Sequence, residues 1–335
     1  MISSIDRRTV LTTLGGAAAS LLLQPLTARA QQPVLPVVGF LHGGSADANA
    51  HNATAFRKGL NENGYVEGQN VTVEYHWLEG RYDRVPALIA DLVRRQVAVI
   101  ASLGNTPATR AAKAATATIP IIFGIAQDPV ELGLVASLAR PGGNATGINF
   151  FSEEVVAKRL RLLHDSVPKA VRVAVLVDPA NATGAETTLR AVQQAAPAIG
   201  LQIQILNATT IGEIDAAFAA LAREHPDVLF VAGDSFFTSR RGQFAILAAR
   251  ERIPAAYANR DIVEAGGLMS YGTDLADTFR QVGVYTGNIL KGAKPADLPV
   301  LQSTKFEFVI NLQTARALGI EVPPGVLSIA DEEIE

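Results

Sequence analysis

Five aspartates follow closely on apolar runs: Asp128, Asp178, Asp234, Asp261 and Asp274. A carboxylate at a strand end can act as a general acid or base beside a second one. It can hold a substrate amine, or it can accept turn amides, the default for the Asp-Pro pairs Asp128-Pro129 and Asp178-Pro179. The other ingredients of catalysis are missing. The five histidines (His42, His51, His76, His164 and His225) show no metal-ligand spacing with each other or with a carboxylate. No P-loop, zinc-protease helix or nucleophile elbow occurs, and the pairs Gly43-Gly44 and Gly142-Gly143 lack dinucleotide spacing. Cysteine is absent, which removes disulfides, thiolate metal sites, thiol nucleophiles and a lipid-bearing cleavage-site cysteine. No cofactor and no metal is expected.

Polar groups suited to holding a small molecule are more numerous. Thr106-Pro107 reads as an N-cap followed by the first helical position, so the helix start after Asn105 should offer unpaired N–H groups to a carboxylate. His42 ends an apolar strand and can be a polar contact. Tyr257, Tyr271 and Phe236 also stand at strand ends and could cover an apolar part of a ligand; Trp77 reads as packing.

The elements that would position these groups alternate. Apolar runs at 37–41, 97–102, 119–125, 171–177 and 228–231 read as buried strands, and 71–75 alternates like a half-exposed one. Helical patterns fall between them, among them 83–95, 153–165, 184–199, 211–225 and 274–290, with a short helix expected after Pro129. Strand–helix alternation implies parallel sheets with right-handed crossovers, and ligands then sit beyond the carboxyl ends of the strands. The chain repeats one arrangement: strand, loop, helix, Ile-Pro, strand, aspartate, once through Ile119-Pro120 to Asp128 and again through Ile253-Pro254 to Asp261. Two similar α/β lobes with one shared cleft are expected, because 335 residues exceed what one core usually serves. Pro141-Gly142-Gly143-Asn144 reads as the approach to a crossing between them.

Charge and termini bound the partners. Charged residues make up 18% and net charge is -3, with no basic patch, so nucleic acid is not an expected partner. Residues 1–30 read as a cleaved signal peptide: Arg7-Arg8, an apolar run from Val10 to Leu23, and Ala28-Arg29-Ala30 as the cleavage site. Export could follow the twin-arginine or the ordinary Sec route, and the mature protein is expected free in the periplasm, without a lipid anchor.

Several stretches together resemble one family. They are Gly64-Tyr65 with Gly68-Gln69-Asn70; Ala126-Gln127-Asp128-Pro129-Val130 with Gly133-Leu134-Val135; and Pro141 to Gly147. Further on come Gly266 to Gly272, Ile289-Leu290-Lys291-Gly292 through Leu298-Pro299-Val300, and Asn311 with Ala315 to Gly319. The mature chain resembles ABC-transporter substrate-binding proteins of the tryptophan/tyrosine-uptake type, within the periplasmic binding protein type 1 class. The resemblance implies two doubly wound parallel-sheet lobes joined by a three-strand hinge, with lobe 1 at 34–148 plus 272–302 and lobe 2 at 149–271 plus 303–330. It implies a monomeric receptor that closes on a small carboxylate or amino acid and delivers it to a membrane permease and its ATPase. By analogy, lobe 1 would contact the ligand through Ser45, Asn105, Thr106 and Asp128, and lobe 2 through Asn181, Asp234, Tyr257 and Tyr271. The rival readings are a periplasmic ligand sensor and a periplasmic enzyme that pairs Asp128 with Asp234.

Overall fold

The computed structural model describes residues 35–150 and 153–335; the expected signal peptide lies outside the described residues. Residues 37–149 form β1 (Val37–His42), α1 (Ala50–Glu62), β2 (Thr72–Trp77), α2 (Val85–Arg94), β3 (Val99–Leu103), α3 (Thr106–Ala115), β4 (Ile121–Ile125) and β5 (Ala145–Asn149). Alternate residues of these strands serve opposite faces, so both faces need cover. Leu41, Ile100, Ile121 and Phe123 pack on one side with Ile89 and Leu92 of α2. Val38, Phe40, Val99 and Ile122 pack on the other with Phe56 and Leu60 of α1.

The chain then builds a second sheet. It runs through α4 (Glu153–Ser166), β6 (Arg172–Val177), α5 (Ala182–Ala195), β7 (Gln202–Asn207), α6 (Ile211–Glu224) and β8 (Val228–Val231). It continues through α7 (Ser235–Ser239), α8 (Arg241–Arg250), β9 (Ala255–Tyr257), α9 (Arg260–Glu264) and β10 (Met269–Thr273). Next, α10 (Leu275–Leu290) returns to the first lobe, where β11 (Leu301–Gln302) pairs with β5. The last part, β12 (Phe306–Asn311), α11 (Leu312–Leu318), α12 (Pro324–Leu327) and β13 (Glu332–Ile334), belongs to the second sheet.

The first sheet has the order β11-β5-β4-β3-β1-β2 and the second β13-β12-β10-β9-β8-β6-β7. Three crossings connect them: after β5, at Asp274, and between β11 and β12. They are tied to one another. The Thr273 hydroxyl donates to the Phe150 carbonyl at 3.1 Å, Ser303 N–H to Asn149 at 2.8 Å and Asp274 N–H to Lys305 at 3.1 Å. The two halves of the repeat seen in the sequence occupy equivalent places, as neighbouring parallel pairs β3–β4 and β8–β9.

Three expectations are corrected and one element is added. No helix follows Pro129: Asp128 turns its carboxylate onto Val130 N–H at 2.7 Å, and Gly133 takes a φ of +66°, so the segment folds as consecutive turns. The strand at 306–311 runs antiparallel to β10, as its return from the first lobe dictates. A further edge strand, β13, lies beyond residue 330. Asn105, not Thr106, caps α3, its Oδ1 accepting Ala108 N–H at 2.9 Å.

Candidate functional site

A cavity of about 130 Å³ lies between the lobes, at the carboxyl ends of their parallel strands. Its lobe 1 wall includes His42 from β1, Gly104 after β3, Thr106 from α3, Gln127 after β4 and Phe279 from α10. The opposite wall includes Val156 and Arg159 from α4, Asn181 before α5, Asp234 after β8 and Asn259 before α9. Phe150 lies at the crossing between them.

The lobes touch directly. Ser235 Oγ donates to the Gly104 carbonyl at 2.9 Å, and Ser45 N–H donates to Ser239 Oγ at 2.9 Å. His51 Nε2 lies 3.6 Å from Asp261 Oδ1. These contacts join α1 and the loops after β1 and β3 to both ends of α7 and the start of α9, so the cleft is shut.

The sequence-expected contacts divide. Thr106, Asn181 and Asp234 line the cavity. The Thr106 hydroxyl donates to Gln127 Oε1. Asn181 Oδ1 accepts Gly184 N–H at 3.3 Å as it caps α5, while its Nδ2 donates to Asp234 Oδ2 at 3.0 Å. Asp234 caps α7, accepting Phe236 N–H at 2.7 Å, and burial raises its pKa.

Five residues take other places. Ser45 contributes its backbone to the lobe contact. Asn105 is buried beneath the cavity wall, occupied by its cap. Asp128 is an exposed turn residue, so no Asp128–Asp234 pair is assembled for acid–base work. Tyr257 is 0% exposed in the core of the second lobe, edge-on to Phe244. Tyr271 is also a core ring, stacked on Phe306 with the Lys158 ammonium 4.6 Å from its centroid. The aromatic rings at the cavity are instead Phe150 and Phe279.

The expected anion site at α3 is largely self-satisfied. Pro107 has no N–H, Ala108 N–H goes to the Asn105 side chain, and Thr109 N–H goes to the Asn105 carbonyl at 3.0 Å. His42 is a neutral donor: burial lowers its pKa to about 3, and Nδ1 accepts Gly44 N–H at 2.9 Å, which leaves the proton on Nε2.

Arg159, a cation on the expected helix 153–165, and Tyr82 are not among the residues singled out in the sequence. Asp178, 3% exposed, leaves Oδ2 without a partner; burial, then the charge of Asp234, pushes its pKa up to about 7. The Tyr82 hydroxyl, from lobe 1, is buried without a partner and is raised by burial and then by the charges of Asp234 and Asp178.

Residues 37–334 match the family model of ABC transporter substrate binding proteins. The chain is similar to a tyrosine-binding protein of Clostridioides difficile (strain R20291), 27% identical over 266 residues that cover 79% of this chain and 76% of that one. It is similar to the crystal structure of an ABC domain in complex with L-Trp from Streptococcus pneumoniae. That match is 26% identical with a TM-score of 0.80, covering 90% of this chain and 100% of the other. A ligand-free, open substrate binding protein from Clostridium difficile, 25% identical, covers 90% of this chain and 99% of the other, with a TM-score of 0.62. At nearly equal identity the chain matches the ligand complex better than the open form, in agreement with its hydrogen-bonded lobes. The fold is periplasmic binding protein type 1, and the chain belongs to the ABC transporter substrate-binding protein family, as a solute-binding receptor of an ABC importer.

Proposed function

We propose that the receptor closes on an amino acid, with aromatic ones as the first candidates. The observation that carries this reading is the shut cavity itself, which presents Asp234 and Arg159, groups of opposite charge, on one wall and the rings of Phe150 and Phe279 beside them. An ammonium can pair with Asp234, whose burial leaves its charge in need of a partner. The rings and the apolar side chains of Leu103, Ile125 and Val156 suit an apolar side chain. The tyrosine-binding relative and the L-Trp complex support the same ligand class.

In this reading the leader directs export and is cleaved after Ala30, and the mature protein works as a monomer in the periplasm. It hands its ligand to a membrane permease driven by an ATPase. Among the described residues no helix is long and apolar enough to cross a membrane. A ligand that touches both lobes favours the closed form by its differential affinity, so closure reports occupancy to the permease.

Thermal-shift screening of the purified protein against the proteinogenic amino acids tests the proposal. Ligand at a hundred times its Kd should add about 2.7 kcal/mol of stability. A flat melting temperature across the set would remove the amino-acid reading.

A further inference from the structure

Helix α4 carries an arginine where its apolar stripe calls for a hydrophobe. Val156, Leu160 and Leu163 are buried, and Arg159 stands three residues after Val156 and four before Leu163, on the same face. Arg159 is 2% exposed and lines the cavity. Its Cζ lies 4.6 Å from the centroid of the Phe230 ring. Nη1 donates to the Tyr271 carbonyl at 3.4 Å, a long bond, and Nε has no partner. No carboxylate among the described residues lies within ion-pair distance of it.

A guanidinium offers five N–H donors, and the one bond it makes among the described residues is weak. The Phe230 face offsets part of the desolvation, but a buried cation without a counterion remains costly. Burial lowers the Arg159 pKa only to about 9, so it is a cation at neutral pH. The N-terminus of α3, the other feature of this cavity suited to an anion, has spent most of its donors on Asn105. Asp234 on the same wall disfavours ligands of high negative charge.

We infer that Arg159 is the ligand's carboxylate partner, the group around which the lobes close on a singly charged acid. A carboxylate fits the planar fork of a guanidinium with two parallel hydrogen bonds. The inference deepens the receptor reading but does not require that the acid carry an amine.

Titration calorimetry on the purified protein, stripped of co-purified ligand, separates the two. L-tyrosine and L-tryptophan are compared with their carboxamides, on wild type and on Arg159→Met. Wild type should prefer the carboxylates by about a hundredfold or more, the size expected for a buried charge pair. In Arg159→Met that preference should fall to near unity, while affinity for the carboxamides stays within a few-fold of wild type. An arginine with a purely structural role would lower both affinities and keep their ratio, and a preserved ratio overturns the inference. Should Arg159→Met fail to fold, Arg159→Lys should show an intermediate ratio, and an unchanged one is equally fatal. If wild type ignores both amino acids, the same comparison is made with any carboxylate that raises its melting temperature. A ratio lost on Arg159→Met would then retain the inference and discard the amino-acid reading. No response to any carboxylate discards both.

Discussion

The Ser235 hydroxyl of the second lobe donates to the Gly104 carbonyl of the first, 2.9 Å across the cleft. Ser239, one turn later in α7, accepts Ser45 N–H at 2.9 Å and donates to the Ser235 carbonyl at 2.9 Å. A five-residue helix thus latches two lobe 1 loops, and Asp234 at its N-cap faces the ligand cavity. Ligand contact and lobe contact share one short element.

The double substitution Ser235→Ala and Ser239→Ala should therefore loosen closure without touching the proposed charged contacts. Each lost neutral hydrogen bond is worth about 1 kcal/mol, so with two lost ligand affinity should fall about thirtyfold. Small-angle scattering should show a larger radius of gyration without ligand. An unchanged affinity would mean that the latch contributes nothing to the bound state.

Asp234→Asn keeps the oxygen that caps α7 and removes the negative charge. Affinity for amino acids should drop about thirtyfold or more, while the corresponding deaminated acids should bind as before. Calorimetry with each amino acid and its deaminated analogue checks this, and equal losses for both would sever Asp234 from the ammonium.

Asp178 makes stability depend on pH in a stated direction. Its pKa rises from 3.8 to about 7 on folding, through burial first and the charge of Asp234 second. Below about pH 4 both states hold the proton and the residue has no effect. Between about 4 and 7 the unfolded chain ionises first, so this group's contribution falls as pH rises, and above 7 the loss is complete. Asp178→Asn should thus gain about 2 kcal/mol over wild type near pH 8 and almost nothing near pH 4. Urea unfolding at both pH values measures the difference; a gain of equal size at both would refute the titration.

Helices α1 and α10 meet through glycines. A Cβ on Gly283 would lie 2.1 Å from the Phe56 carbonyl oxygen, and one on Gly59 only 1.9 Å from that of Arg280. Backbone, not flexible side chain, stands in the way. Gly283→Ala should cost about 3 kcal/mol in denaturant unfolding. Wild-type stability would show that the helices separate freely.

The fold was legible because its signals are local. The run 97–102 has nowhere to go but a sheet covered on both faces, and the helical pattern expected at 211–225 is α6. The site was legible only in part, because strand-end residues look alike in sequence. Asp128 and Asp234 both follow an apolar run, yet Asp128 spends its carboxylate on the turn after Pro129 while Asp234 is held at the cavity by α7. Tyr257 and Phe279 differ by which way a backbone faces, which depends on register and crossing and not on residue type. Arg159 left a trace that was readable: a charge inside the stripe Val156, Leu160, Leu163.

On the proposed function, the shut cavity holds an amino acid. Titration calorimetry of the ligand-stripped protein with L-tyrosine and L-tryptophan tests it most directly. Saturable heat with a stoichiometry of about one, for at least one of them, is the predicted result. No heat from either, nor from any other amino acid at millimolar concentration, would contradict it.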